Sequence, residues 1–206
     1  MQIDNIFLAR QPILNLQNEI FGYELLFRSM DCDYAEIYDH SQASAKVMFE
    51  TLSNFGYDKV LGPHKGFINL NDELFMSDSL ELLPAHRFVL ELLEIVEITD
   101  AIVERCRELK AKGFAIALDD NIFCEACIPL YELVDIVKID VLNLSDHNIA
   151  QAAELVRQWP VTLLAEKIET DNHWQLCREL GFQFFQGYFF ARPTVLKHTK
   201  IDTEKA

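Results

Sequence analysis

The sequence predicts an α/β fold, a TIM-type (β/α)8 barrel, and three observations support this prediction. Short, almost entirely apolar runs are typical of parallel strands that are covered on both faces. Segments with helical spacing of apolar residues alternate with these runs. Seven or eight strands can be counted in the 206 residues, which suits one closed barrel. Six of the runs are GFINL, FVLEL, FAIALDD, VDIVKID, TLLAEK and FQFFQGY.

The first element is expected to be a β-hairpin. Residues 5–28 contain two β-type runs joined by the polar pair Gln17 and Asn18, and such a short joint favours a hairpin. Further strands are expected at 66–70, 87–92, 114–119, 135–139, 161–166 and 183–187. Helices are expected at 41–55, 99–112, 147–158 and 171–180. A helical patch is expected near 74–83, and an irregular or helical segment at 122–133. Asp146 is the expected N-cap of the helix that begins at residue 147.

The composition restricts the partners and the location of the protein. Lys and Arg total 18 against 33 Asp and Glu, a formal charge of -15, so neither a nucleic-acid polymer nor an anionic membrane surface is expected as main partner. No apolar stretch reaches the roughly 18 residues of a membrane span. The five cysteines are an odd number without regular spacing, so we expect reduced thiols in a cytoplasmic protein.

The apolar runs end in polar residues of the metal-binding or acid–base type: Asn69, Glu91, Asp119 with Asp120, Lys138, Glu166 and Gln186. Parallel strands of a barrel carry their carboxyl ends to one rim, so these groups are expected to meet there. A buried cluster of carboxylates is costly unless cations neutralise it. The pattern therefore predicts the divalent-cation site of a metal-dependent enzyme, or of a descendant in which that site has decayed.

Taken in order along the chain, the motifs resemble those of the EAL family of cyclic-di-GMP phosphodiesterases, from about Gln11 to Pro193. The segments that carry the resemblance are QPILNLQNEIFGYELLFR, FINLN, LELLE, ALDDN, VKID, LAEKIET and FQGYFFARP. Any one of these segments could occur by chance, but all of them in the family's order indicate common descent. The resemblance implies an EAL-like barrel whose first strand is antiparallel. It also implies signal transduction through a bacterial second messenger, by hydrolysis of cyclic-di-GMP to the linear 5′-pGpG.

The resemblance further implies roles for individual residues. The implied metal ligands, for two Mg²⁺ or Mn²⁺ ions, are Glu24, Asn69, Glu91, Asp119 and Asp120. The implied catalytic residues are Lys138, which resembles the lysine that holds the attacking water, with Glu166, Gln186 and Glu94. Of these, Glu94 resembles a support of the catalytic loop. Arg28 and Gln11 are the implied substrate-binding residues, Arg28 through paired hydrogen bonds to a ligand phosphate.

Two of these residues also have a structural interpretation. Lys138 could form a salt bridge to Asp119 or Glu166, and Gln186 could bond a neighbouring backbone group.

The sequence departs from the family's motifs at three places that bear on turnover. Leu25 replaces the Ala of the first motif, and Lys167, a charge near the expected metal rim, replaces a Gly of the seventh-strand motif. The glycine-rich loop that follows the paired aspartates is replaced by the run NIFCEACI, which begins at Asn121. These changes leave open a catalytically inactive domain that acts as a cyclic-di-GMP receptor or as a protein-interaction signalling module.

The words ARQPI and YELLFR also resemble a divergent subgroup of the family that is usually fused to a C-terminal HDOD domain, a helical signalling module. On this basis residues 1–194 are expected to form the EAL-like domain, and residues 195–206 a charged tail or the start of a linker. An HDOD domain or another signalling protein, and a second copy in a homodimer, are the implied protein partners.

Overall fold

The computed structural model describes residues 7–28, 56–120, 123 and 125–196, without the side chains of Phe7, Phe27 and Arg28. The helix expected at 41–55 lies outside the described residues. The strands are β1 (Phe7–Asn15), β2 (Ile20–Arg28), β3 (Lys65–Leu70), β4 (Phe88–Leu92), β5 (Ala115–Leu118), β6 (Ile136–Asp140), β7 (Thr162–Glu166), β8 (Phe184–Phe185) and β9 (Thr194–Leu196). The α-helices are α1 (Tyr57–Leu61), α2 (Asp72–Phe75), α3 (Asp100–Ala111), α4 (Ile128–Tyr131), α5 (Asp146–Val156) and α6 (Asp171–Glu179). Short 3-10 helices span Asp78–Leu82, Ala85–Arg87 and Glu125–Cys127.

The strands β1 to β8 close into a barrel. From β2 to β8 each strand is the parallel neighbour of the next, and β1 lies between β8 and β2, antiparallel to both. The predicted TIM-type barrel with an antiparallel first strand is therefore confirmed. The predicted hairpin is β1–β2, and Asn18 in its turn has φ 60°, a left-handed conformation that Asn tolerates better than most residues.

One local prediction, the N-cap of α5, needs correction. The N-cap of α5 is Ser145, whose hydroxyl accepts a hydrogen bond from the backbone N–H of Asn148, and Asp146 is the first helical residue. Both residue types are good N-caps, so the sequence alone does not choose between adjacent candidates. The helical patch expected near 74–83 is present as the end of α2 and a following 3-10 helix.

The chain after β8 returns to the barrel wall. Val195 and Leu196, which begin the predicted tail, lie in β9 and pair with Ala9 and Leu8 of β1. Residues beyond 196 lie outside the described part of the chain, so the boundary between domain and tail stays a prediction.

The strands of the barrel wall separate two apolar layers. The inner layer fills the barrel and consists of Ile13, Phe67, Val89, Ala117, Ile136 and Leu164. The outer layer lies between strands and helices, and it includes Leu90 of β4 and Val137 of β6. Successive side chains of a strand point to opposite faces, so Val89 and Leu90 enter different layers. Burial on both sides explains why the strands are continuously apolar.

Two further expectations concern thiols and membranes. The thiols of Cys106 and Cys177 are free and buried, whereas Cys127 is disulfide-bonded. The expectation of fully reduced thiols is therefore wrong at Cys127, because an odd count excludes a complete set of pairs but not a single bridge. Among the described helices, none has the length and apolar character needed to cross a membrane.

Candidate active site at the carboxyl ends of the strands

The predicted site residues continue the columns of side chains that fill the barrel. Six of them stand two positions after a residue of the inner layer or one packed against it. The pairs are Phe67 and Asn69, Val89 and Glu91, Ala117 and Asp119, Ile136 and Lys138, Leu164 and Glu166, and Phe184 and Gln186. On the antiparallel β1 the order is reversed, and Gln11 stands two positions before Ile13. Because residues i and i+2 of a strand share a face, the polar groups converge above the apolar interior.

Lys138 lies at the centre of this cluster. Its Nζ is 2.7 Å from Glu91 Oε1, 2.6 Å from Asp119 Oδ1 and 2.5 Å from Glu166 Oε1. The Lys138 side chain is 1% exposed and that of Glu91 is fully buried. The contacts to Glu91 Oε1 and Asp119 Oδ1 are ion pairs in which neither oxygen accepts a hydrogen bond from the described residues. The salt bridges of the structural interpretation are thus present, with Glu91 as a third partner.

Burial and charge shift the protonation of the cluster. Burial raises the pKa of Glu91 and of Glu166 well above the usual range of a Glu carboxyl, although the charge of Lys138 opposes this effect. Burial alone would lower the pKa of Lys138, but the charges of Asp119, Glu166 and Glu91 outweigh it, and this pKa is raised well above its usual value. Lys138 is therefore an ammonium at neutral pH, which donates hydrogen bonds and cannot remove a proton.

Amide side chains hold Glu24 at the edge of the cluster. Asn69 donates from Nδ2 to Glu24 Oε1 at 2.8 Å, and Gln186 donates from Nε2 to Glu24 Oε2 at 2.6 Å. Gln186 Nε2 also lies 3.3 Å from Gln11 Oε1, and Gln11 in turn donates to the carbonyl oxygen of Ala191 at 3.1 Å. Among the described residues, the partners of Gln186's side chain are side chains, and not the backbone group of the structural interpretation. Both oxygens of Glu24 are thereby oriented.

The residues present fit a divalent cation. One carboxylate oxygen each of Asp119, Asp120 and Glu166 lie within 4.8 Å of one another. Asn69 Oδ1 and Gln186 Oε1 are buried and find no hydrogen-bond partner among the described residues. A buried polar atom without a partner costs about 1–3 kcal/mol, and an oxygen-binding cation would remove that cost at Asn69.

A second ion-pair group lies beside Lys138. Lys167 Nζ is 3.2 Å from Asp120 Oδ2 and 2.5 Å from Asp140 Oδ2. Burial alone would lower the pKa of Lys167, but the hydrogen bond to Asp140 and the charge of Asp120 outweigh it and raise this pKa. Asp140 is not among the residues that the sequence motifs single out. It stands two positions after Lys138 on β6, so the alternation of side chains would have placed it on the same face.

Two predicted site residues stand apart from these contacts. Glu94 is exposed in the turn after β4, and among the described residues it makes no hydrogen bond or ion pair. The strand ends at Leu92, so the alternation that places Glu91 no longer operates at Glu94. The side chain of Arg28, the last residue of β2, lies outside the described residues. The roles predicted for both stay predictions.

The fold and the site together define a TIM-type barrel with an oxygen-rich, lysine-centred cluster at the rim where such barrels carry their chemistry. The chain belongs to the EAL domain family, whose model matches residues 1–193.

Similar proteins agree with this membership. Cyclic di-GMP phosphodiesterase CdgJ of Vibrio cholerae is 33% identical over 204 residues, 96% of this chain and 46% of that protein. The structure of the Bacillus subtilis YkuI protein, with an EAL domain, in complex with cyclic-di-GMP and calcium, matches with a TM-score of 0.74 at 23% identity. The match covers 95% of this chain and 56% of the YkuI chain. Klebsiella pneumoniae BlrP1, in a manganese and cyclic-di-GMP complex, has a TM-score of 0.74 at 20% identity, with coverages of 95% and 57%. These structural similarities show the fold, and the chain spans about half the length of the relatives that it matches.

Proposed function

We propose that this chain is a cyclic-di-GMP phosphodiesterase that hydrolyses the cyclic dinucleotide to linear 5′-pGpG with the help of divalent cations. The proposal rests on one observation, the convergence of Glu91, Asp119 and Glu166 on Lys138, beside the amide-held Glu24, at the carboxyl ends of the strands. The family membership and the activity for which the relative CdgJ is named support it.

The side chains that would hold the cations are those with oxygen atoms at the rim. Glu24, Asn69, Glu91 and Asp119 would hold one ion, and Asp119 with Asp120 a second. Hard oxygen donors of this kind suit Mg²⁺ or Mn²⁺. When bound, such ions polarise a phosphodiester and lower the pKa of a coordinated water. Asn69 and Gln186 keep the Glu24 carboxylate in a fixed orientation for this task.

The reaction is the attack of a water oxygen on phosphorus. The new bond forms as the bond to the ribose 3′ oxygen breaks, which leaves a 5′-phosphate and a 3′-hydroxyl. Lys138 would hold the attacking oxygen by donating a hydrogen bond, and Glu166 would accept the proton. Arg28 would bind a ligand phosphate, with Gln11 as a further substrate-binding residue beside Gln186, and Glu94 would support the loop after Asp120.

The proposal is tested by incubating the protein with cyclic-di-GMP and Mn²⁺ and separating the products by chromatography. We expect 5′-pGpG, and no product when EDTA removes the metal. If calorimetry shows that the nucleotide binds but no linear product forms at high protein concentration, the proposed enzymatic activity is rejected. It would favour the second candidate, a cyclic-di-GMP receptor, which the ion pair between Lys167 and Asp120 also supports. A protein that ignores the nucleotide with and without metal would be a protein-interaction module.

Substitution of Asp119 separates chemistry from folding. Asp119→Asn removes one ligand charge, and a loss of about 3 kcal/mol of transition-state stabilisation would lower turnover roughly 100-fold. The amide oxygen can still face the Lys138 ammonium, and carboxylate crowding falls, so the melting temperature without metal should change little. Turnover and melting temperature are measured on the same preparation. The control is Asp58→Asn, which alters an exposed carboxylate in α1 that pairs with Arg87, and this variant should retain activity. A large fall in the metal-free melting temperature of Asp119→Asn would contradict this account.

Several finer features belong to the same proposal. Mg²⁺ or Mn²⁺ is proposed as the physiological ion, and the substrate, a bacterial second messenger, supports a cytoplasmic location. Residues 1–194 are proposed as the EAL domain and 195–206 as a tail or linker, with a C-terminal HDOD domain as the fusion partner. Support for that partner comes from the ARQPI and YELLFR motifs and from the greater length of the relatives. A homodimer is proposed as the assembly, and the mass in solution would test it.

A further inference from the structure

Lys167 occupies a backbone position that favours glycine. It has φ 54°, in the left-handed region, where a side chain with a Cβ is disfavoured. The motif that this segment resembles has Gly at this place, and Gly would adopt the same conformation without that cost. The lysine is therefore accommodated against its local preference, which indicates that its side chain contributes an interaction of its own.

That interaction reaches a predicted metal ligand. Both oxygens of Asp120 face the ammonium, with Lys167 Nζ 3.4 Å from Oδ1 and 3.2 Å from Oδ2. Asp140 holds the same ammonium from the other side at 2.5 Å. Asp120 is one of the three carboxylates whose oxygens are close enough to share a cation. A positive charge is thus already placed on the oxygen atoms that a second ion would use.

The two cation positions differ in this respect. At the first, Glu24 is held by the neutral amides of Asn69 and Gln186, while Glu91 and Asp119 contact the buried ammonium of Lys138. At the second, Asp120 is held by a charged side chain. The Lys167 side chain is 46% exposed, whereas that of Lys138 is 1% exposed, so Lys167 can turn towards solvent when a competing cation arrives.

We propose that Lys167 is a built-in cation that competes with the second divalent ion for Asp120. The second position then fills at a higher metal concentration than it would without this lysine, so that activity depends on the free metal concentration. Lys167 is a positioning residue in this scheme and does not touch the reacting atoms. The inference rests on the proposed function for the existence of the cation site.

The experiment is a titration with Mn²⁺ alone, in which the electron paramagnetic resonance of the free ion reports how many ions bind and how tightly. Wild type is compared with Lys167→Met, which keeps length and removes charge, and with Lys167→Arg, which keeps the charge. Removing one ammonium a few Å from a divalent ion in water-like surroundings should tighten the second site about 10-fold. This gain should shrink at high salt, where exposed charges are screened. The Mn²⁺ concentration that gives half-maximal hydrolysis should fall by a similar factor.

The controls separate this effect from net charge and from folding. Lys112→Met removes the same charge at a distant place. Lys112 is 44% exposed, pairs with Glu81 and lies close to the amino end of β5. This variant should bind Mn²⁺ like wild type. Lys167→Gly, which suits the left-handed backbone, should bind like Lys167→Met even if the latter folds poorly. Identical binding curves for wild type and Lys167→Gly would overturn the inference and leave the proposed function standing. No Mn²⁺ bound by any variant would overturn both.

Discussion

Replacing Lys138 with Met is expected to abolish detectable hydrolysis and to destabilise the metal-free protein by about 3–5 kcal/mol. Glu91, Asp119 and Glu166 would lose the buried ammonium that they share, and unpaired charges in the barrel interior are costly. Urea unfolding in the presence of EDTA measures the loss. Added Mn²⁺ should recover part of it, because an ion that binds the folded state alone stabilises that state.

Lys110→Met is the matched control for this substitution. Lys110 pairs with Asp135 at 2.5 Å, but both side chains are about one-third exposed. Removing such a surface pair should cost less than about 1 kcal/mol and leave turnover unchanged. If Lys138→Met and Lys110→Met unfolded at the same urea concentration, the central ion pairs would contribute no stability, and this account of the cluster would be wrong.

Gly187→Ala is expected to have the second large effect, because Gly187 lets the loop after β8 pass against the backbone of Ile168. An added Cβ would lie 2.1 Å from the carbonyl oxygen of Ile168 and 2.3 Å from its nitrogen, and backbone atoms cannot rotate away. The same segment is tied by the hydrogen bond from Ile168 N–H to the Gln186 carbonyl at 3.0 Å. We expect the free energy of unfolding to fall by about 3 kcal/mol. Turnover should fall as well, since Gln186 would be displaced from Glu24.

Gly113→Ala separates the steric clash from a general effect of losing a glycine. Gly113 has φ 91°, so alanine is unfavourable there, but its added Cβ would lie 3.9 Å from Ala85 Cβ, an ordinary van der Waals contact. The backbone conformation alone should cost about 1–2 kcal/mol. Equal stabilities of the two variants would mean that the loop after β8 repacks easily and that Gln186 does not depend on Gly187.

The fold could be predicted because its determinants are local. Continuous apolar runs place β3 to β7 within a residue or two of their observed bounds, and the β1–β2 hairpin follows from its polar turn. The expected strand 183–187 is reduced to Phe184 and Phe185, since the chain turns away where Gly187 meets Ile168. Boundaries of this kind depend on contacts with distant segments, which periodicity does not contain.

The sequence by itself determined which side chains reach the rim. A polar residue two positions beyond a barrel-filling residue shares its face, and this relation holds within a few residues of one strand. The tertiary structure decided which groups contact one another there: the three carboxylates on Lys138, the amides on Glu24, and Asp140 and Asp120 on Lys167. Those contacts join strands that are far apart along the chain. They exist because the barrel closes, with β1 completing the wall between β8 and β2.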